Sequence, residues 1–204
     1  MKVSDLFEGP YHIDQDWAPV VKTKAWPSLE GLKRENSHLG TLELNGTEFH
    51  FWLSSKNKFA RVSTSSKDDI GQDRQLVVCE VSFDNRAGLP VKNELQVHTV
   101  HTDSDFRNKN LAMAMYVLLA RYGFTVVSDF EQFNGGKALW QKMAKQSSSR
   151  KFVVRVWSDE KEDWVRDQDG AVLSYDGTNI DDAEIWNSAN RKYEPTSLLV
   201  LSSD

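Results

Sequence analysis

The stretch that decides the fold is Leu95-Gln96-Val97-His98-Thr99-Val100-His101-Thr102-Asp103-Ser104-Asp105-Phe106-Arg107-Asn108-Lys109-Asn110-Leu111-Ala112. Leu95, Val97 and Thr99 alternate as in a half-buried strand, the polar run from Thr102 to Asn110 reads as a turn, and the apolar run Leu111–Leu119 reads as a helix. A turn that opens a helix attracts anions. The first-turn N–H groups have no intrahelical acceptor and the helix dipole adds partial positive charge there. Arg107 and Lys109 place two cations beside that end.

Working outward, Gly123–Asp129 reads as a second strand. Asn134-Gly135-Gly136-Lys137-Ala138-Leu139-Trp140-Gln141-Lys142-Met143 reads as a helix start with Leu139, Trp140 and Met143 on one side. Before the decisive stretch, Leu39–Leu44 and Thr47–Leu53 alternate around Asn45-Gly46, the favoured two-residue hairpin turn, with Phe49, Phe51 and Leu53 on one face. Leu76–Phe83 is a further strand and Asp84–Pro90 a loop. After the second helix, Phe152–Trp157 is a strand, Ile180–Asn190 a short helix and Ser197–Leu201 a last strand. The order predicts an α/β (α+β) architecture, a central mixed, mostly antiparallel twisted sheet flanked by helices. It divides into an N-terminal irregular or helical segment (1–38), a core (39–157) and a C-terminal extension that completes or packs on the sheet (158–204).

Composition excludes several classes. The chain has 204 residues, 39% hydrophobic, with seven Trp and ten Phe, which is globular rather than disordered. No run reaches the roughly 18 apolar residues of a membrane-spanning helix, and Met1–Glu8 lacks the apolar stretch of a signal peptide. A net charge of −5 and a pI near 5.6 argue against nucleic-acid binding by bulk electrostatics. The basic clusters Lys22–Lys24 and Lys142–Lys151 are interrupted and read as solvated faces. The lone Cys79, in Val77-Val78-Cys79-Glu80-Val81, reads as a small buried strand residue and agrees with a reducing cytoplasm. Asp163, Asp167 and Asp169 lack the spacing of a calcium loop and read as turn chemistry, and no spacing suggests a metal site.

The run Arg107-Asn108-Lys109-Asn110-Leu111-Ala112 resembles the pyrophosphate loop of the GNAT family of N-acetyltransferases, which reads Arg or Gln, two variable residues, Gly, one variable residue, then Gly or Ala. Arg107, Leu111 and Ala112 fit this pattern. Asn110 stands where the family has Gly, and Asn108 where Gly is frequent. Asn is the least costly replacement where φ is positive. Leu139-Trp140 resembles the family's Leu-Tyr pair. The Tyr hydroxyl often protonates the departing thiolate there, and an indole N–H cannot do so at neutral pH. The likeness covers roughly Leu76–Trp157.

The resemblance implies acetyl-CoA as co-substrate, held by Thr99, Val100, Arg107, Asn108, Lys109, Asn110, Leu111, Ala112 and Asn134, and an amine of a small molecule or protein as acceptor. It also implies a strand Glu acting through water as base, and Glu94 opens that strand. By alternation Glu94, Gln96 and His98 share one face, and Leu95, Val97, Thr99 and His101 the other. The base is therefore sought among Glu94, His98 and His101. A second reading stays open, in which a catalytically degenerate member serves as a binding or inhibitory module. Compact, divergent chains of this style resemble bacteriophage-encoded ones, which would make the partner a host protein and the site of action the host cytoplasm.

Overall fold

A computed structural model describes residues 27–84, 89–129, 134–147, 151–181, 185 and 197–203. Outside them lie the expected irregular region around Trp17 and Trp26, Asn85–Gly88 of the loop, the Ser148-Ser149 turn and most of the Ile180–Asn190 helix. Nine strands hydrogen-bond in the order β1-β2-β3-β4-β5-β6-β9-β7-β8: β1 Asn36–Leu44, β2 Thr47–Ser54, β3 Phe59–Lys67, β4 Asp73–Asp84, β5 Glu94–Thr102, β6 Thr125–Val127, β7 Phe152–Ser158, β8 Asp163–Trp164 and β9 Ser197–Ser203. Among the described residues, the α-helices of a turn or more are α1 Leu29–Glu35, α2 Leu111–Arg121 and α3 Asn134–Ser147. The ladders β1–β2, β2–β3, β3–β4, β6–β9, β7–β8 and β7–β9 are antiparallel, and β5–β6 is parallel. Mixed α/β with a mostly antiparallel sheet is therefore the observed class.

Two compact units divide the chain, one from 1–84 with 98–118, the other from 85–97 with 119–204. In the first, β1–β4 form a meander. Asn45 (φ 50) and Gly46 (φ 74) both take positive φ between β1 and β2, which is the two-residue turn that the Asn-Gly pair favours. Phe49, Phe51 and Leu53 are buried as the alternation requires, but so is Trp52 between them, so both faces of β2 are covered here.

β3 is the strand that sequence patterning passed over. Its Ser and Thr residues break the apolar pattern, yet Ser63 and Thr64 are buried. They are tolerated because their hydroxyls are spent on hydrogen bonds. Ser63 Oγ accepts from Trp52 Nε1 (2.9 Å) and donates to Gln75 Oε1 (2.9 Å), Gln75 Nε2 donates to Ser65 Oγ (2.9 Å), and Thr64 Oγ1 donates to the Glu48 carbonyl (2.8 Å). α1 and the start of β1 lie within the segment expected to be irregular or helical. Ser28 caps α1 by accepting from the Gly31 N–H at 3.1 Å.

α2 carries LAMAMYVLLAR and is buried at Leu111 and at every position from Met113 to Ala120. A helix apolar on all sides belongs inside a core. Its end follows from Gly123 (φ 84): the Gly123 N–H donates to the Ala120 carbonyl and the Phe124 N–H to Leu119, a Schellman closure. That cap consumes the residues expected to start the next strand, so β6 spans only Thr125–Val127 instead of Gly123–Asp129.

In the second unit, Leu89, Val127, Trp157, Leu198 and Val200 form a buried cluster with Val91 and Trp164 packed against it. Trp157 and Trp164 meet edge to face at 5.3 Å. Gly177 (φ 96) brings its loop against α3, where an added Cβ would stand 3.0 Å from the Gln141 carbonyl oxygen. Of the acidic group, Asp167 and Asp169 are turn chemistry, Asp167 Oδ1 accepting from the N–H groups of Asp169 (3.0 Å) and Ala171 (2.9 Å), whereas Asp163 opens the strand β8 instead of a turn.

The polar chain through β2, β3 and β4 sets a test. Ser63→Ala strips Trp52 Nε1–H and Gln75 Oε1 of a shared buried partner and is expected to destabilise by about 1–3 kcal/mol, read as a lower urea midpoint at unchanged slope.

Candidate functional site

The candidate site is the chain from His98 to Ala112, all in the first unit. β5 meets β4 in antiparallel order: His98 contacts Asp84, Thr99 contacts Ser82, Thr102 contacts Cys79, and the Asp103 N–H donates to the Val78 carbonyl. On its other side the parallel register runs Glu94↔Thr125, Leu95↔Val126, Gln96↔Val127 and goes no further, because the next β6-side residue, Ser128, gives its N–H to the Leu199 carbonyl instead. The burial along β5 changes at the same point. Leu95, Gln96 and Val97 are buried, while His98, Thr99 and Val100 are exposed.

Asp103, itself buried, caps the short 3-10 turn Ser104–Phe106 by accepting from the Asp105 N–H at 3.1 Å. Phe106 packs edge-on against Phe49 of β2, with ring centroids 5.9 Å apart, and so ties the turn to the meander. Arg107 Nε donates to the Thr102 carbonyl at 3.4 Å, which leaves its other N–H donors for a ligand. Asn108 (φ 64) and Asn110 (φ 54) are both left-handed. Where φ changes sign along a turn, successive N–H groups swing toward one side and form an anion-binding concavity. The Asn110 carbonyl accepts the Ala114 N–H at 2.9 Å, so Asn110 caps α2, and the N–H groups of Leu111, Ala112 and Met113 face out of its first turn. The formal charges of Asp103 and Asp105 offset those of Arg107 and Lys109. The affinity of this turn for an anion therefore rests on backbone N–H groups and dipole more than on net charge.

Of the three base candidates, His98 is exposed and its Nδ1 stands 3.3 Å from Asp84 Oδ2. His101 is half-buried, one residue from the end of β5. Glu94 is half-buried in the second unit, opposite Thr125. Within the first unit, His98 and His101 stand three residues apart on β5, so alternation sends them to opposite faces and the two do not serve one reacting atom together. Asn134 opens α3 in the second unit, and its side chain lies outside the described ones. Trp140 is 1% exposed and sits in the core. Burial pushes the Cys79 thiol up to about 11, against a smaller opposing effect of its Thr102 contact, so it is no nucleophile.

Sequence patterning missed Asp84, which it placed in a loop and which is the last residue of β4. Only the β4–β5 register brings it to His98, and no local signal carries that. It also missed a cluster on β1 and β2, where the His38 ring lies 4.7 Å from Trp52 and 5.8 Å from His50, and His50 Nε2 lies 3.0 Å from Glu48 Oε1. Partial burial first, then the neighbouring His50, hold His38 below its ordinary value; the Gly40 backbone and Glu48 pull the other way.

Two predictions follow from this geometry. Asn110→Gly is expected to leave stability within a few tenths of a kcal/mol, whereas Asn110→Val, β-branched at positive φ, costs about 1–3 kcal/mol by thermal or urea denaturation. Because His38 binds its proton less readily folded than unfolded, the stability it contributes is complete above about pH 6.5 and is lost as pH falls below that value. His38→Gln is then expected to lose less stability than the parent between neutral pH and pH 5, measured as the pH dependence of the urea midpoint.

The chain matches no family model, no curated protein and no solved structure.

Proposed function

We propose that the protein is an acyl-CoA-dependent N-acyltransferase of GNAT type, transferring an acetyl group to an amine. The observation that carries this reading is the backbone of Asn108 and Asn110. Asn110 takes the left-handed conformation where the resembled motif has Gly, and Asn108 does so where Gly is frequent, immediately before a helix start. The layout adds support, since a meander is followed by strand, helix, parallel strand and helix. So does the release of β5 from its β6 ladder after Gln96, which leaves main-chain groups beyond that point for an extended ligand.

Arg107, Lys109 and the N–H groups that open α2 would hold the pyrophosphate, and Thr99 and Val100 lie on the stretch of β5 beyond the ladder. The acyl thioester supplies an activated carbonyl carbon and a thiolate leaving group. The chain must supply a base for the acceptor ammonium, since only the neutral amine attacks. His98 suits this role better than Glu94 or His101, being exposed and midway along β5. As the C–N bond forms and the C–S bond breaks, the ammonium gives up two protons in all. One ends on the departing sulfur and one is released. With Trp140 enclosed in the core, the sulfur takes its proton from solvent or from protonated His98.

The second reading is favoured by that same Trp140 and by the presence of two Asn side chains in a turn where Gly would have none. In it the turn is a vestige and the protein acts by binding, with a host protein as partner.

Acetyl-CoA at about 100 times Kd is expected to stabilise the fold by about 2.7 kcal/mol. At about 2–4 °C per kcal/mol, this is a melting shift of roughly 5–11 °C. Asn110→Val should abolish the shift and His98→Ala should keep it while slowing CoA release with an amine panel. No shift at millimolar acetyl-CoA, together with retention of one host protein in a pull-down, would replace the enzyme with the binding module.

A further inference from the structure

His98 is the histidine of β5 that stands at ion-pair distance from a carboxylate, and the carboxylate comes from the neighbouring strand. Asp84 Oδ2 is 3.3 Å from His98 Nδ1. Both side chains are more than half exposed, at 59% and 64%, so the contact contributes little to stability. Its consequence is directional. A neutral imidazole carries its proton on one nitrogen and its lone pair on the other, and a carboxylate facing one nitrogen keeps the proton there. Here the faced nitrogen is Nδ1, so the lone pair is left on Nε2, the nitrogen that does not face Asp84. The two residues lie on the neighbouring strands β4 and β5, where the Thr99 and Ser82 hydroxyls beside them share a 2.6 Å hydrogen bond. A general base held on rigid elements with its tautomer set by a partner is the arrangement proton abstraction requires.

We propose that Asp84 is a positioning residue for His98, holding the imidazole as its Nδ1–H tautomer so that Nε2 receives the proton of the acceptor ammonium. This rests on the acyltransferase reading for its role, while the Asp84–His98 contact stands apart from it. Asp84 touches no reacting atom; it acts through the ring. The proton path is short: one N–H bond of the ammonium breaks, one Nε2–H bond forms, and the positive charge that develops on the ring is met by the Asp84 carboxylate.

The test has one arm that needs no turnover. The ring-nitrogen shifts of His98, read by ¹⁵N–¹H correlation on the full chain at a pH where the ring is neutral, report which nitrogen bears the proton. The Nδ1–H pattern is expected in the parent protein, with a shift toward the Nε2–H pattern in Asp84→Ala and retention of the Nδ1–H pattern in Asp84→Glu. An Nε2–H pattern in the parent, or the same pattern in parent and Asp84→Ala, overturns the proposal. The second arm is a kinetic cycle with acetyl-CoA and an accepted amine. Asp84→Ala is expected to lower kcat about tenfold with KM for acetyl-CoA unchanged, and to have no further effect in the His98→Ala background, since it acts only through that ring. Additive losses in the cycle would also overturn it. If no amine is turned over at all, the acyltransferase reading falls, and the nitrogen shifts still decide whether Asp84 sets the tautomer.

Discussion

An eleven-residue helix with apolar side chains at nearly every position can exist only enclosed, and α2 imposes that condition on the fold. A helix buried from Leu111 onward has no room to fray, so its first turn has to be entered sharply. The entry is built from a capped 3-10 turn, an aromatic contact of Phe106 with Phe49, and two left-handed asparagines. Each element of the candidate anion site is thus a consequence of how the core helix begins. A turn held this firmly presents its N–H groups in one arrangement, which is what a polyanion needs and what a mobile loop would not offer.

Enclosure carries a cost wherever polar groups are buried with the apolar ones. In the first unit the chain meets it by pairing polar side chains with each other: the indole of Trp52, the hydroxyls of Ser63 and Ser65 and the amide of Gln75 form one connected path across three strands. Such a path is stabilising only when complete, because each interior side chain serves two neighbours. It also fixes the register of β2, β3 and β4 more tightly than apolar packing alone, since a slip by one residue would break every bond in it at once.

The legible parts of the sequence were those governed by short-range rules. The Asn45-Gly46 turn, the hairpin around it, the strand from Leu95 and the helix from Leu111 all follow from spacing or turn chemistry within a few residues. β3 did not, because the polar Ser63, Thr64, Ser65 and Ser66 give no alternation to read, and what buries Ser63 and Thr64 is their partners on other strands. The near end of Gly123–Asp129 differs from its reading for a related reason: Gly123 serves the end of α2 through a left-handed cap, and a β-like pattern of Phe124 and Val126 gave no sign of it. Within the candidate site, the anion turn was visible as a motif and its asparagines as the residues most tolerant of positive φ. The Asp84–His98 contact was invisible, since it depends on the pairing of two strands rather than on any neighbour in sequence.

The asparagines also bear on what kind of anion the turn suits. Glycine at those two places would let a ligand's oxygens approach the backbone with nothing in between, whereas asparagine keeps the backbone angles and adds a side chain with its own donors and acceptor. The N–H groups stay directed, but the approach narrows, and each side chain either turns aside or joins in holding the ligand. With Asp103 and Asp105 offsetting the charges of Arg107 and Lys109, little long-range attraction compensates for that narrowing. Recognition at this turn is then set by short-range hydrogen-bond geometry, and it favours a ligand whose oxygens fit the turn over one that merely carries charge.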